Sequence, residues 1–331
     1  MSAILEVKHL STGFLTDDGI IKAVEDVSFT VERGQTVCIV GESGSGKSVT
    51  SLSILRLIEF ENGTILNGEM NFEGEDLVTK TNEEMCKIRG DQIAMIFQEP
   101  MTALNPVFTI GKQICEAIRF HKKCSKAEAM GRAVELLQLV GMSEPNIRVK
   151  QYPHELSGGM RQRAMIAIAL ASEPKLLIAD EPTTALDVTI QSQILSLLQD
   201  LKEKLNMSIL LITHDIGVAA EMSDRVVVMY AGKVVEEGSV YDIFDKPLHP
   251  YTIGLLRSIP TTDGNRADRL LSIPGSIPNF SNLPSGCRFH PRCEFTTEKC
   301  KQEEPSLTLT DEHRSIACWH YEEIATTKKL V

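Results

Sequence analysis

TVCIVGESGSGKSVTSLSILRLI, residues 36–58, is the stretch that decides the fold. Thr36 to Val40 is a short continuous apolar run and reads as a buried strand; from Val49 to Ile58 the pattern turns helical. Between them Gly41-Glu-Ser-Gly-Ser-Gly-Lys47-Ser48 fits G-x-x-x-x-G-K-[ST]. Glycines let the backbone curl until its N–H groups point inward at phosphate oxygens, and the helix that follows adds its positive end. The expected cradle is Gly41, Ser43, Gly44, Ser45, Gly46, Lys47, Ser48 and Val49. Lys47 suits the β- and γ-phosphates, and Ser48 offers a hydroxyl to Mg²⁺. A chance glycine-rich turn has no reason to lie between a buried strand and a helix.

Outward from this loop the chain alternates strands and helices. Residues 2–40 read as β-rich, and QIAMIFQ ends an apolar run at Gln98. The pattern from about 109 to 172 is mostly helical, with KAEAMGRAVELLQLVGM its clearest segment. KLLIAD (175–180) and SILLIT (208–213) are short apolar strands separated by the helix VTIQSQILSLLQDLKEKL. This alternation implies an α/β fold with a largely parallel sheet. DRVVVMYAGKVVEEG reads as a hairpin turned at Ala231-Gly232. Composition then shifts: eight of the fourteen prolines lie between 247 and 305, and IPGSIPNFSNLP (273–284) reads as irregular chain. Two domains are expected, 1–240 with a helical subdomain at about 99–172, and an extension at 241–331.

The 331 residues exceed the usual single-domain size, and 42% hydrophobic with 24% charged residues is ordinary for a soluble globular protein. A net charge of −11 argues against a general nucleic-acid binder, which would show a basic face. The start MSAILEVKHL has no secretory signal pattern, and no apolar run approaches the roughly 20 residues of a membrane-spanning helix. Attachment to a membrane is expected only through partners.

Two further segments carry chemistry. Leu176-Leu-Ile-Ala-Asp180-Glu181 is a hydrophobic strand ending in two carboxylates. Asp180 suits the Mg²⁺ shell, and Glu181 suits an attacking water, which this chemistry needs positioned and polarised. LSGGMRQR (156–163) opens a helix with Ser157 as N-cap and two glycines exposing amides, so it reads as a second anion-binding helix start or as a simple capped helix.

LSGGMRQR sets its serine 23 residues before Asp180, and residues 1 to about 240 resemble the nucleotide-binding subunits of ATP-binding-cassette (ABC) transporters. The resemblance implies a P-loop ABC nucleotide-binding domain: a RecA-like core, an antiparallel β subdomain and a helical subdomain. It implies that Gln98 joins the Mg²⁺ and water shell and senses a membrane partner. Ala185-Leu186-Asp187 matches the loop that crosses the dimer seam, and His214, 34 residues past Asp180, the histidine that holds the γ-phosphate and Glu181. Such subunits pair head to tail, so Ser157 and Gly159 of one chain are expected to close over ATP held by the other; the second ATPase is an identical chain or a similar subunit. Phe14 is the expected adenine-stacking residue, with Ile21 nearby and a core role as the competing reading.

KPLHPYT (246–252), the proline-rich run after it and EPMTALNP (99–106) resemble the oligopeptide and dipeptide importers, whose extension nickel and glutathione importers share in related form. The resemblance implies an ATPase at the cytoplasmic face of the membrane, working on two integral-membrane permease subunits docked by the helical region, while an extracytoplasmic peptide-binding protein delivers substrate. A soluble cassette acting on DNA or ribosomes is the rival from another class; no paired cassette or basic surface supports it. An exporter ATPase is the third, and the His-Pro-Tyr extension speaks against it.

Cys287, Cys293, Cys300 and Cys318 follow C-x5-C-x6-C-x17-C, whereas Cys38, Cys86, Cys115 and Cys124 are scattered and read as packed thiols. Four soft donors so close together suit zinc or an iron–sulfur cluster, or two disulfides, which fit poorly with a cytosolic ATPase. The paired C-x2-C knuckles usual for zinc are absent. Some peptide-importer ATPases carry a [4Fe-4S] cluster at such cysteines, so the resemblance implies a [4Fe-4S] cluster, with Zn²⁺ the alternative. His290, His313 and His320 are substitute ligands or solvated side chains. A small irregular metal-binding domain is therefore expected at the C-terminus; so few apolar side chains in about 45 residues need a staple.

Overall fold

The computed structural model describes residues 2–17, 19–184, 186–258, 273–311 and 313–326. Its strands in chain order are β1 (Ala3–Thr16), β2 (Gly19–Glu32), β3 (Thr36–Val40), β4 (Gly63–Phe72), β5 (Glu75–Asp76), β6 (Ile93–Ile96), β7 (Leu176–Asp180) and β8 (Ser208–Thr213). They continue with β9 (Arg225–Tyr230), β10 (Lys233–Ser239), β11 (Thr308–Asp311) and β12 (Arg314–Ile316). The helices are α1 (Lys47–Ile54), α2 (Asn82–Ile88), α3 (Pro100–Ala103), α4 (Ile110–His121), α5 (Lys126–Leu139), α6 (Pro145–Arg148) and α7 (Gly158–Ala169). After them come α8 (Val188–Leu205), α9 (Ile216–Met222), α10 (Val240–Asp245), α11 (Pro250–Arg257), α12 (Glu298–Gln302) and α13 (Tyr321–Thr326). The chain forms two compact units, one of 1–4, 32–34 and 79–211, the other of 5–31, 35–78 and 212–331.

In the first unit β6 and β7 run parallel, with Ile93 opposite Leu176 and Ile96 opposite Ala179. Every residue of β7 is buried, the continuous apolar run that a strand covered on both faces requires. Helix α5 packs on α4 and α7. It begins at a capping box: the Ser125 hydroxyl accepts from the Glu128 amide, and the Glu128 carboxylate accepts from the Ser125 amide. On α8 the inward stripe Ile194, Leu195, Leu198 and Leu201 has helical spacing.

The second unit contains an antiparallel sheet of order β2-β1-β4-β5 and a run of strands in the order β11-β12-β10-β9-β3. Strand β3 pairs parallel with β9, Val37 opposite Arg225 and Val40 opposite Val228. All five residues of β3 are buried. The expected hairpin is β9–β10, and its turn residues Ala231 and Gly232 have φ of 45° and 83°. Positive φ at both central positions matches the turn's twist to that of its strands. The C-terminal segment extends this sheet: β12 pairs antiparallel with β10, Glu236 opposite Ile316, and β11 pairs with β12. Residues 273–284 form no helix or strand, as their prolines predicted.

Helix α1 is shorter than the apolar pattern to Ile58 predicted. It stops at Ile54, and Arg56 takes the left-handed conformation with φ 52° before a 3₁₀ turn at Leu57–Glu61. The hydroxyls of Thr50, Ser51 and Ser53 donate to the carbonyls of Gly46, Ser48 and Val49. Such back-bonding weakens a helix whose hydroxylated residues are poor formers already.

Candidate nucleotide site and cysteine cluster

Strand β3 leads into the phosphate loop, two of whose glycines have no room for a side chain. A Cβ on Gly41 would lie 2.2 Å from the Met229 carbonyl oxygen, and one on Gly46 2.9 Å from that of Ala23. Gly46 has φ 100° and opens α1 with no side-chain cap, which leaves the amides of the helix start without the usual capping acceptor. The Lys47 ammonium donates to the carbonyls of Gly41 at 2.8 Å and Glu42 at 3.1 Å, and the residue is only 5% exposed. Ser45 Oγ is buried with no hydrogen-bond partner. A desolvated cation, an orphaned hydroxyl and a glycine cradle together fit a bound triphosphate with its Mg²⁺. Ser43 and Gly44 are exposed at the loop tip, while Ser48 and Val49 are half-buried on the first turn of α1. His214 is exposed between β8 and α9, next to Asp215, which caps α9. Phe14 is half-buried on β1 opposite Gly63 of β4, and Ile21 is half-buried on β2.

Three contacts escaped the sequence reading. The Glu42 amide, second in the loop, donates to the Tyr251 hydroxyl at 2.8 Å. The Glu42 carboxylate receives both arms of Arg292, at 2.7 and 3.0 Å. The hairpin turn holds the loop as well, with Gly232 N–H donating to the Ser45 carbonyl at 2.9 Å. Motif spacing carries no sign of partners that lie about 200 or more residues away.

The carboxylate group is built in the first unit. Asp180 ends β7 and is 5% exposed. Glu181 follows with φ 45°, a left-handed conformation that costs a non-glycine residue strain and is typical of functional positions. Its Oε2 accepts from the Gln98 side-chain amide at 3.0 Å and from the Thr184 hydroxyl at 3.0 Å. Gln98 and Glu181, 83 residues apart in the sequence, are thus in direct contact. Ser157 caps α7 by accepting from the Met160 amide at 3.4 Å, and Asp187 caps α8 through the Ile190 amide at 3.0 Å. Gly159 is where α8 comes close, since a Cβ there would lie 2.8 Å from Ile190 Cγ2. Ala185, in the expected seam loop, lies outside the described residues.

The His-Pro-Tyr segment opens helix α11 beside β10. His249 is 1% exposed, and its Nδ1 accepts from the Tyr251 amide at 3.0 Å, capping α11. Burial pushes its pKa down to about 3, so the ring is neutral. Glu236 of β10 is fully buried and accepts from the amides of Leu248 and His249 and from Arg314 of β12 at 2.7 Å.

All eight cysteines are free thiols. The Cys287 amide donates to the Cys300 carbonyl at 2.8 Å. Backbone amides point at three of the four clustered sulfurs: Phe289 and His290 at Cys287, Phe295 at Cys293, and His320 at Cys318. Burial pushes the Cys293 thiol up to about 11 and that of Cys318 to about 12. Among the described residues no three His, Cys, Asp or Glu side chains are assembled as a metal site. Four soft sulfur donors are the chemistry of a thiolate-bound group, but their side chains are not drawn together as one in this structure. His320 Nε2 bonds to the Thr297 hydroxyl at 3.1 Å, and His290 Nδ1 to the Cys287 carbonyl at 3.0 Å.

Residues 24–184 match the ABC transporter family model, and residues 235–300 match that of the oligopeptide/dipeptide transporter C-terminal region. The oligopeptide transport ATP-binding protein AppD of Bacillus subtilis (strain 168) is 57% identical over 323 residues, 98% of each chain. The chain belongs to the ABC transporter ATP-binding subunits. A putative peptide import ATP-binding protein of Brucella ovis is 53% identical over 332 residues, covering 97% of this chain and 98% of its own. Among solved structures, the dimeric post-hydrolysis state of the ATP-binding cassette MJ0796 bound to ADP and Pi shares 31% identity with a TM-score of 0.63. That match covers 71% of this chain and 98% of the cassette. The P-loop cassette fold and the ATPase activity read from the sequence are those of this ABC subunit's family. Among its described residues no helix is long and apolar enough to cross a membrane.

Proposed function

We propose that this chain energises the import of di- and oligopeptides by ATP-driven, head-to-tail dimerisation. The carrying observation is 57% identity over 98% of each chain, extension included, with the oligopeptide transport protein of Bacillus subtilis. The chain works as a peripheral subunit at the cytoplasmic face of the cell membrane, docked on two integral-membrane permease subunits. A second ATPase subunit, identical or similar, completes the engine, and an extracytoplasmic peptide-binding protein supplies substrate indirectly.

Lys47 and the loop amides hold the β- and γ-phosphates of ATP. Ser48, Gln98 and Asp180 would hold Mg²⁺, directly or through water, and the ion would supply charge neutralisation for phosphoryl transfer. Glu181, oriented by Gln98 and Thr184, accepts a proton from the attacking water, and His214 holds the γ-phosphate. Ser157, Gly159 and Asp187 of one chain close the other chain's site, and Phe14 stacks on adenine. Cys287, Cys293, Cys300 and Cys318 hold a [4Fe-4S] cluster, with Zn²⁺ the alternative, as a structural staple of residues 241–331.

Solubilising membranes in detergent and purifying the tagged chain tests this reading. Two integral-membrane proteins should accompany it, and peptide should stimulate ATP hydrolysis in the reconstituted complex. Recovery with ribosomes or DNA instead would remove the transporter reading, and stimulation by nickel or glutathione but not peptide would replace the substrate.

A further inference from the structure

Glu42 places a carboxylate inside a loop whose task is to hold a polyanion. Unpaired, a carboxylate in this loop would repel the phosphates that the loop is to hold. Arg292 meets it with two nearly parallel N–H···O bonds, at 2.7 and 3.0 Å. The arginine side chain is only 4% exposed, and its Nε donates to the Pro274 carbonyl at 2.8 Å, so the guanidinium is fixed before any ligand arrives. The amide of the same Glu42 is bound to the hydroxyl of the fully buried Tyr251. Both partners belong to the C-terminal segment, and Arg292 lies between Cys287 and Cys293.

We propose that Arg292 and Tyr251 are positioning residues of the nucleotide site: they neutralise Glu42, turn it away from the phosphates and pin the start of the loop. The affinity of the loop for ATP is then set partly by a segment some 250 positions later in the chain. The inference rests on the reading of Gly41 to Ser48 as the ATP cradle. It holds whichever group the cysteines carry.

Binding of MgATP to the full chain, measured by displacement of a fluorescent ATP analogue at low salt, tests it. Arg292→Gln should raise Kd about tenfold, the effect of leaving a partly buried charge uncompensated. In the Glu42→Gln background the same substitution should cost no more than about twofold, because no charge remains to compensate. Raising the salt should shrink the Arg292→Gln penalty. A purely structural role predicts equal penalties in both backgrounds, and that result would overturn the proposal, as would an unchanged Kd. If Arg292→Gln fails to fold, Tyr251→Phe carries the test: loss of the one hydroxyl should raise Kd about threefold, and no change would count against the inference. Lys47→Ala separates the two readings. If it binds ATP like the parent, the cradle reading itself fails; if it abolishes binding while Arg292→Gln costs nothing, only the coupling fails.

Discussion

His249 sits wholly inside the protein with its Nδ1 accepting the Tyr251 amide, so adding a proton there removes the acceptor that caps α11. Its folded pKa of about 3 lies below the ordinary value of 6.5. The unfolded chain therefore binds that proton first. Stability is fully present above the unfolded value and falls as pH drops from 6.5 toward 3, by about 1.4 kcal/mol per pH unit. Urea midpoints at pH 7, 6 and 5 should show this slope, and His249→Asn, which keeps a good cap, should flatten it. The same slope in both proteins would rule His249 out as its source. At this scale the sequence was most legible where function is local. Gly41 to Ser48 are eight neighbours whose spacing is itself the chemistry. Glu42, Tyr251 and Arg292 were illegible because nothing in an isolated Glu, Tyr or Arg says which distant residue it will meet.

Strands β3, β7 and β8 were readable as apolar runs, since strands covered on both faces need no alternation. The end of α1 was not, because three hydroxylated side chains compete with the helix that the apolar pattern favoured. Strands β11 and β12 were missed too: at four and three residues they carry too little pattern, and the sheet edge at β10 makes them. The cysteine segment around α12 has few buried apolar residues, Phe289 and Cys300 among them, so its order needs another source. If that source is a [4Fe-4S] cluster, protein purified without oxygen should contain about four iron and four sulfide per chain. Stoichiometric zinc without sulfide would refute the cluster and leave the staple.

For the molecule as a working unit the role proposed for Glu181 is the one to test. Glu181→Gln keeps the shape and the hydrogen-bonding partners of the carboxylate but cannot take a proton. Turnover should fall by about a hundredfold or more while ATP binding persists, and light scattering should show a dimer that forms only with ATP. Unchanged hydrolysis would end the assigned role. The order of motifs made the family legible, whereas the pairing of Gln98 with Glu181 needed the fold to bring together positions 83 residues apart. One turn shows how far such convergence goes. At Ala231-Gly232, Gly232 reaches Ser45 through its N–H and Glu25 through its carbonyl, while the Ala231 carbonyl receives Arg288. A Cβ on Gly232 would come 2.6 Å from the Ala23 carbonyl oxygen. Surface hairpins ordinarily gain and lose residues freely over evolutionary time. This one has no such latitude: a single insertion would displace three attachments at once, so length variation among descendants of this chain should bypass the turn.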